Sequence, residues 1–202
     1  MVFHRRSKPG SRVALLPGTF NPPTIAHQAL LNAALALVDE AIVVLPRKLP
    51  HKEFDGASLE ERLRMLEQLS TLRPYSIAVA DQGLFVDLSE EFRRDSGGPV
   101  EELFIVTGRD AAERILQWPY EDPSTIERMF QRFQLLVAAR LGEFEAPIEY
   151  RHRIRGLELD PAMDKISSTH VRELIRSGGS WRGLVPQGVG PIAEQVYLRV
   201  TR

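Results

Sequence analysis

Two stretches of this chain gather side chains suited to holding phosphate. The first is Gly18-Thr19-Phe20-Asn21-Pro22-Pro23-Thr24-Ile25-Ala26-His27, which starts where the apolar run Val13-Ala14-Leu15-Leu16 stops and leads into the alanine- and leucine-rich run 29–38. Strand, glycine turn and helix start together make an anion site, because free N–H groups and the helix dipole both favour negative charge. Gly18 lets the backbone come close to a ligand. Thr24 and His27, three apart, share one face of the opening turn, with Cα–Cβ bonds tilted toward whatever the turn holds. Asn21 is placed to cap this helix, and Pro22-Pro23 suit a first turn whose N–H groups lack intrahelical partners. The second stretch, Ile166-Ser167-Ser168-Thr169-His170-Val171-Arg172, offers hydroxyls at another helix start and an arginine long enough to reach back past the cap. Each also has a plainer meaning: a capped turn before a half-buried histidine, and an N-cap beside a solvated arginine.

The elements that must position these residues alternate. Apolar or β-branched runs at Val13–Leu16, 41–45, 77–80, 103–107 and 135–139 read as strands. Between them lie helical patterns. The helix after the first turn has one polar stripe, at Gln28, Asn32 and Asp39. Ser58 and Glu61 form a capping box for a helix with Leu59, Leu63, Leu66 and Leu69 on its apolar side, stopped by Pro74. Leu84, Leu88 and Phe92 fall in register over 84–94, and 111–117 and 126–133 read as short helices. Residues 148–159 are poorly patterned and allow a short strand; Gly178-Gly179 ends the helix that opens at Ser167, and a last helix covers 191–200. This alternation predicts an α/β fold, a Rossmann-like open parallel sheet with helices on both faces. Ligands in such sheets bind beyond the carboxyl ends of the strands, where Gly18 and Gly108 both fall.

Bulk properties exclude several classes. The chain has 202 residues, 26 Lys+Arg against 27 Asp+Glu, a formal net charge of −1 and no cysteine. That length fits a single domain over 1–202, with the basic residues 1–11 as a flexible leader lacking the apolar core of a signal peptide. The balanced charge gives no sign of a nucleic-acid or membrane-surface binder. No stretch nears the roughly 20 apolar residues of a bilayer span, so a cytoplasmic setting is expected. There is no GxxxxGK[ST] loop, no GxGxxG fingerprint and no GxSxG elbow, and the histidines are too scattered for a protein metal site.

With both stretches in view, the chain resembles the nucleotidylyltransferase superfamily. Gly18–His27 is similar to its first signature, a glycine, an aromatic, a proline and a [His or Thr]-x-x-His pair that hold a nucleoside triphosphate. Ile166–Arg172 is similar to the second, which grips the triphosphate from the opposite side. Within the superfamily the chain is most similar to nicotinate/nicotinamide mononucleotide adenylyltransferases. Pro50-His51-Lys52 followed by Arg62-Leu63-Arg64-Met65-Leu66, the strand 104–108 with Asp110 and Trp118, Val137-Ala138-Ala139-Arg140 and Leu184-Val185-Pro186 all fit their pattern. The chain departs from it at Thr24, where bacterial members usually have histidine, at Ala26 for glycine and at Arg109 for alanine. Residues 75–98 lack the Ser-Tyr-Thr stretch with which bacterial members recognise the pyridine ring.

The resemblance implies attack by a mononucleotide phosphate oxygen on the α-phosphorus of ATP, with pyrophosphate leaving. Its catalytic residues would be His27, Thr24 and Arg172. ATP would be bound by Gly18, Thr19, Phe20, His27, Gly108, Asp110, Ile166, Ser167, Ser168, Thr169 and Arg172, with Mg²⁺ carried by the nucleotide. Lys52, Trp118, Arg109 and Arg140 would meet the acceptor. The partners implied are ATP and a small phosphorylated acceptor, with homo-oligomerisation left open. An adenylyl- or cytidylyltransferase acting on phosphopantetheine or a polyol phosphate, and a catalytically silent nucleotide-binding module, stand as alternatives.

Overall fold

The computed structural model describes residues 1–5, 8–48, 56–122, 124–138 and 144–199. Among them runs a seven-stranded sheet in the order β1-β4-β3-β2-β5-β6-β7. Its strands are β1 (Val2–His4), β2 (Arg12–Pro17), β3 (Glu40–Pro46), β4 (Ser76–Ala80), β5 (Glu102–Gly108), β6 (Gln134–Ala138) and β7 (Ile154–Leu157). Strands β2 to β7 are mutually parallel, and β1 pairs antiparallel with β4 at one edge. From β2 the chain winds outward through β3 and β4, then crosses to β5 and winds out the other way. The strand order therefore reverses between β2 and β5, the crevice in which doubly wound folds bind ligands.

Period-two alternation explains why both faces are covered. Ala14 and Leu16 of β2, with Ala41, Val43 and Leu45 of β3, enter one core with Leu30, Leu31 and Ala34 of α1 (Ile25–Leu35) and Leu66 and Leu69 of α2 (Leu59–Leu72). The alternate residues Val13, Leu15, Ile42 and Val44 enter the other. They pack with Leu88 and Phe92 of α3 (Phe85–Asp95), Ala112 of α4 (Arg109–Gln117), and Met129 and Phe130 of α5 (Thr125–Arg132). A third cluster lies behind α2. There Met65 meets Val171 and Ile175 of α6 (Ser168–Ser177), and Val196 and Tyr197 of α7 (Gly190–Arg199). Burying each such aliphatic side chain contributes roughly 1.5–3 kcal/mol, enough to fix where α6 begins.

Three local expectations are corrected. The amino end read as a flexible leader supplies β1, whose Phe3 packs edge-on against Phe92 with centroids 5.9 Å apart; its short strand carries too weak a pattern to read beside the basic residues. Helix α1 stops at Leu35, so Asp39 lies beyond it and accepts from the Arg12 backbone at 2.9 Å. Leu84 caps α3 from an exposed position rather than sharing the buried face of Leu88 and Phe92. The short strand allowed within 148–159 is present as β7, which follows a 3-10 turn and adds in parallel to β6. No helix among the described residues is long and apolar enough to cross a membrane.

Candidate functional site

The β2–α1 turn is built differently from the expected capped start. Thr24, not Asn21, is the N-cap of α1, and Pro22-Pro23 lie before the helix. His27 takes the place that Glu or Gln holds in a capping box: the Thr24 N–H donates to His27 Nδ1 at 3.0 Å. Thr24 Oγ1 lies 2.8 Å from the same nitrogen. Because a backbone N–H can only donate, Nδ1 is the acceptor and the ring proton sits on Nε2. The Phe20 ring meets the imidazole edge-on, with centroids 5.1 Å apart. Thr24 itself is fully buried, with its N–H and its hydroxyl both against His27 Nδ1.

Phe20 holds a left-handed backbone, φ +47°. In a non-glycine residue that costs about 1–3 kcal/mol and persists only where neighbours fix it. The neighbours are visible. A Cβ at Gly18 would lie 3.0 Å from Phe20 Cζ, so the glycine makes room for the ring. The Gly18 N–H donates to Val44 O on β3 at 3.1 Å. Arg62 of α2 reaches under the turn, Nη1 donating to Thr19 O at 3.2 Å and Nε to Ser58 O at 3.3 Å.

Asn21 is the node that sequence reading missed. Its buried Oδ1 accepts from the Ala57 N–H at 3.2 Å and from the Tyr197 hydroxyl of α7. Gly56, at φ +116°, passes so close that a Cβ there would sit 3.1 Å from the Asn21 amide. Burial pushes the Tyr197 phenol well above its ordinary range, against the pull of the Arg172 and Arg62 charges nearby. Burial likewise lowers the Arg62 guanidinium.

The second stretch docks directly on the first. Ser168 Oγ donates to Pro22 O at 2.7 Å, and Arg172 Nη1 donates to Asn21 O at 2.6 Å. Ser167 is the N-cap of α6, accepting from the His170 N–H at 3.1 Å, and Thr169 accepts from Arg172 Nη2 at 3.3 Å. Ile166 is buried with its N–H on Met163 O, so it anchors the segment. Thus Gly18, Thr19, Phe20, Thr24, His27, Ser168 and Arg172 are brought together by residues 146 and 151 positions apart in the chain. Arg172 has five N–H donors, and these bonds leave capacity for an anion.

The β5 end supplies a third wall. The offset that pairs Leu15 with Ile105 puts Gly108 level with Gly18, and a Cβ at Gly108 would meet nothing within 4 Å. Packing therefore gives no reason for a glycine there. Arg109 faces Asp110 at 3.8 Å and Glu113 at 3.6 Å, while Asp110 is largely exposed. Trp118 ends α4 as an exposed indole, and no contact joins it to the His27 turn among those described. Lys52 and Arg140 lie outside the described residues.

The cytidylyltransferase-like family model matches residues 15–174, which spans both docked segments. A probable nicotinate-nucleotide adenylyltransferase of Moorella thermoacetica is 30% identical over 91% of this chain and 88% of its own. A phosphopantetheine adenylyltransferase of Flavobacterium psychrophilum is 28% identical over 88% of this chain and 97% of its own. The same fold occurs in Plasmodium falciparum nicotinic acid mononucleotide adenylyltransferase complexed with NaAD, at TM-score 0.67 and 15% identity, covering 92% of this chain and 96% of that one.

Proposed function

The chain belongs to the cytidylyltransferase-like family, and we propose that it transfers AMP from ATP to nicotinate mononucleotide, releasing pyrophosphate, as a cytoplasmic step of NAD synthesis. The observation that carries the reading is the docking of Ser168 and Arg172 on the carbonyls of Pro22 and Asn21, beside the oriented ring of His27. Two helix starts and a guanidinium then converge on one small volume, the arrangement a triphosphate needs.

The chemistry asks for donors rather than a base. A phosphate monoester has a second pKa of about 6, so the acceptor oxygen is ionised at neutral pH. The barrier lies in charge repulsion and alignment, which positioned donors lower. His27 Nε2–H donates to an oxygen of the transferring phosphoryl group. Thr24 fixes the ring. Arg172, with the Ser167 and Thr169 hydroxyls of the α6 start, takes the leaving β,γ-phosphates. Mg²⁺ enters as part of the nucleotide substrate. Gly108 leaves space for the ribose with Asp110 beside it, and Lys52, Arg109, Trp118 and Arg140 serve the acceptor.

A second reading keeps the reaction and changes the acceptor to phosphopantetheine or a polyol phosphate. It is favoured by the absence of the Ser-Tyr-Thr stretch from residues 75–98. Pyrophosphate release, measured with ATP or CTP against nicotinate mononucleotide, nicotinamide mononucleotide, phosphopantetheine and glycerol phosphate, separates them. Turnover with ATP and nicotinate mononucleotide at the highest kcat/KM is expected. Faster turnover with phosphopantetheine or glycerol phosphate selects the second reading, and ATP binding without pyrophosphate from any acceptor leaves a silent nucleotide-binding module.

A further inference from the structure

Arg62 is 3% exposed, and its head group lies beneath the Gly18–Phe20 turn. We infer that Arg62 is a positioning residue for the phosphate-binding turn, holding the Thr19 carbonyl so that the amide of Phe20 is presented in the opposite direction. The inference rests on the transferase reading given above.

A trans peptide is planar, with C=O and N–H pointing opposite ways, so whatever fixes the Thr19 carbonyl fixes the Phe20 N–H. Arg62 Nη1 donates to that carbonyl at 3.2 Å. On the other side of Phe20, Arg172 Nη1 donates to the Asn21 carbonyl at 2.6 Å. Two guanidiniums, from two different helices, therefore hold the carbonyls that flank the one left-handed non-glycine residue among those described. The tie is stiff at its far end. The α2 start is locked by the Ser58–Glu61 capping box, with Glu61 N donating to Ser58 Oγ at 3.2 Å and Ser58 N to Glu61 Oε2 at 2.9 Å. Leu66 and Leu69 sit fully buried against the sheet. Arginine suits this task because its planar fork keeps its charge and geometry when buried, whereas lysine offers one flexible point. The Phe20 ring in turn touches the His27 imidazole, so a drifting turn disturbs the ring that faces the transferring group.

The test uses the full chain with Arg62→Met, Arg62→Lys and, as a control, Arg199→Ala. Arg199 pairs with Glu61 at 2.6 Å on the same helix start, so its loss weakens α2 without touching the turn. Steady-state pyrophosphate release with varied ATP and varied acceptor is read at a temperature where circular dichroism shows each variant folded. Arg62→Met is expected to lower kcat/KM for ATP by about tenfold or more while the acceptor KM stays within about twofold. Arg62→Lys should recover part of the loss, and Arg199→Ala should lower Tm with kcat/KM for ATP unchanged. Wild-type ATP kinetics in folded Arg62→Met, or an equal loss in Arg199→Ala, overturns the inference. Should Arg62→Met not fold, unchanged ATP kinetics in Arg62→Lys overturns it instead. If the wild-type chain releases no pyrophosphate, the transferase reading fails on its own. The ATP-dependent rise in Tm then decides the positioning role: a rise kept in full by Arg62→Met, or missing from wild type, overturns it.

Discussion

Replacing Asn21 with alanine tests how the site is held. The substitution removes the acceptor shared by the Ala57 N–H and the Tyr197 hydroxyl, both buried. Leaving a buried donor unsatisfied costs about 1–3 kcal/mol, so the loss should be roughly 2–4 kcal/mol. For a chain of this size that is a fall in Tm of roughly 5–15 °C. Tyr197→Phe removes one bond and leaves Asn21 Oδ1 with Ala57, a loss of about 1 kcal/mol. In the Asn21→Ala background that bond is already gone, so deleting the hydroxyl there should cost less than it does in wild type. Urea unfolding of wild type, both single variants and the double variant gives the cycle, with a coupling of about 1 kcal/mol or more expected. Additivity within about 0.5 kcal/mol would show that Asn21 does not tie α7 to the turn, and the reasoning built on that node would fail.

Gly18→Ala sets a Cβ 3.0 Å from a ring that the backbone of Phe20 and the imidazole of His27 keep in place. Overpacking of that kind costs about 1–3 kcal/mol, and thermal melts together with turnover should show both stability and activity reduced; a variant matching wild type in both contradicts the close fit. A pH series tests the buried phenols. Burial raises Tyr197, and also Tyr75, above the ordinary value of 10.0. The folded chain keeps protons that the unfolded chain has released, so this stability is complete below about pH 10 and is lost as pH rises toward the folded values. Between about pH 9 and 11, Tm should therefore fall less steeply in Tyr197→Phe than in wild type, and equal slopes contradict the assignment.

What could be read from the sequence was local. Gly18–His27 packs a turn, a cap and an imidazole into ten residues, Ser167–Arg172 a cap and a guanidinium into six, and alternating apolar runs disclosed a parallel sheet covered on both faces. The bonds between the two stretches span 146 and 151 residues, and no periodicity encodes that distance. Asn21 shows the limit most clearly. Its side chain fits an N-cap by type, but its partners lie 36 and 176 residues away, and tertiary packing overrode the local preference. Arg62 falls three residues after Leu59 and four before Leu66, within the apolar stripe, but no periodicity names the Thr19 carbonyl it meets 43 residues away. Val2–His4 gave no signal of its own, since a three-residue edge strand is specified by the β4 edge it joins. Thr24 could be placed beside His27 by spacing, but its complete burial and its two contacts with Nδ1 could not be read.

The transferase reading requires that His27 act on the phosphoryl group at the meeting point of the two segments. Pyrophosphate release from ATP and nicotinate mononucleotide should be compared between wild type and His27→Ala at matched folded fraction. Loss of one such donor is worth about 3–4 kcal/mol, so kcat should fall at least about a hundredfold. A folded His27→Ala protein turning over at near the wild-type rate would contradict it.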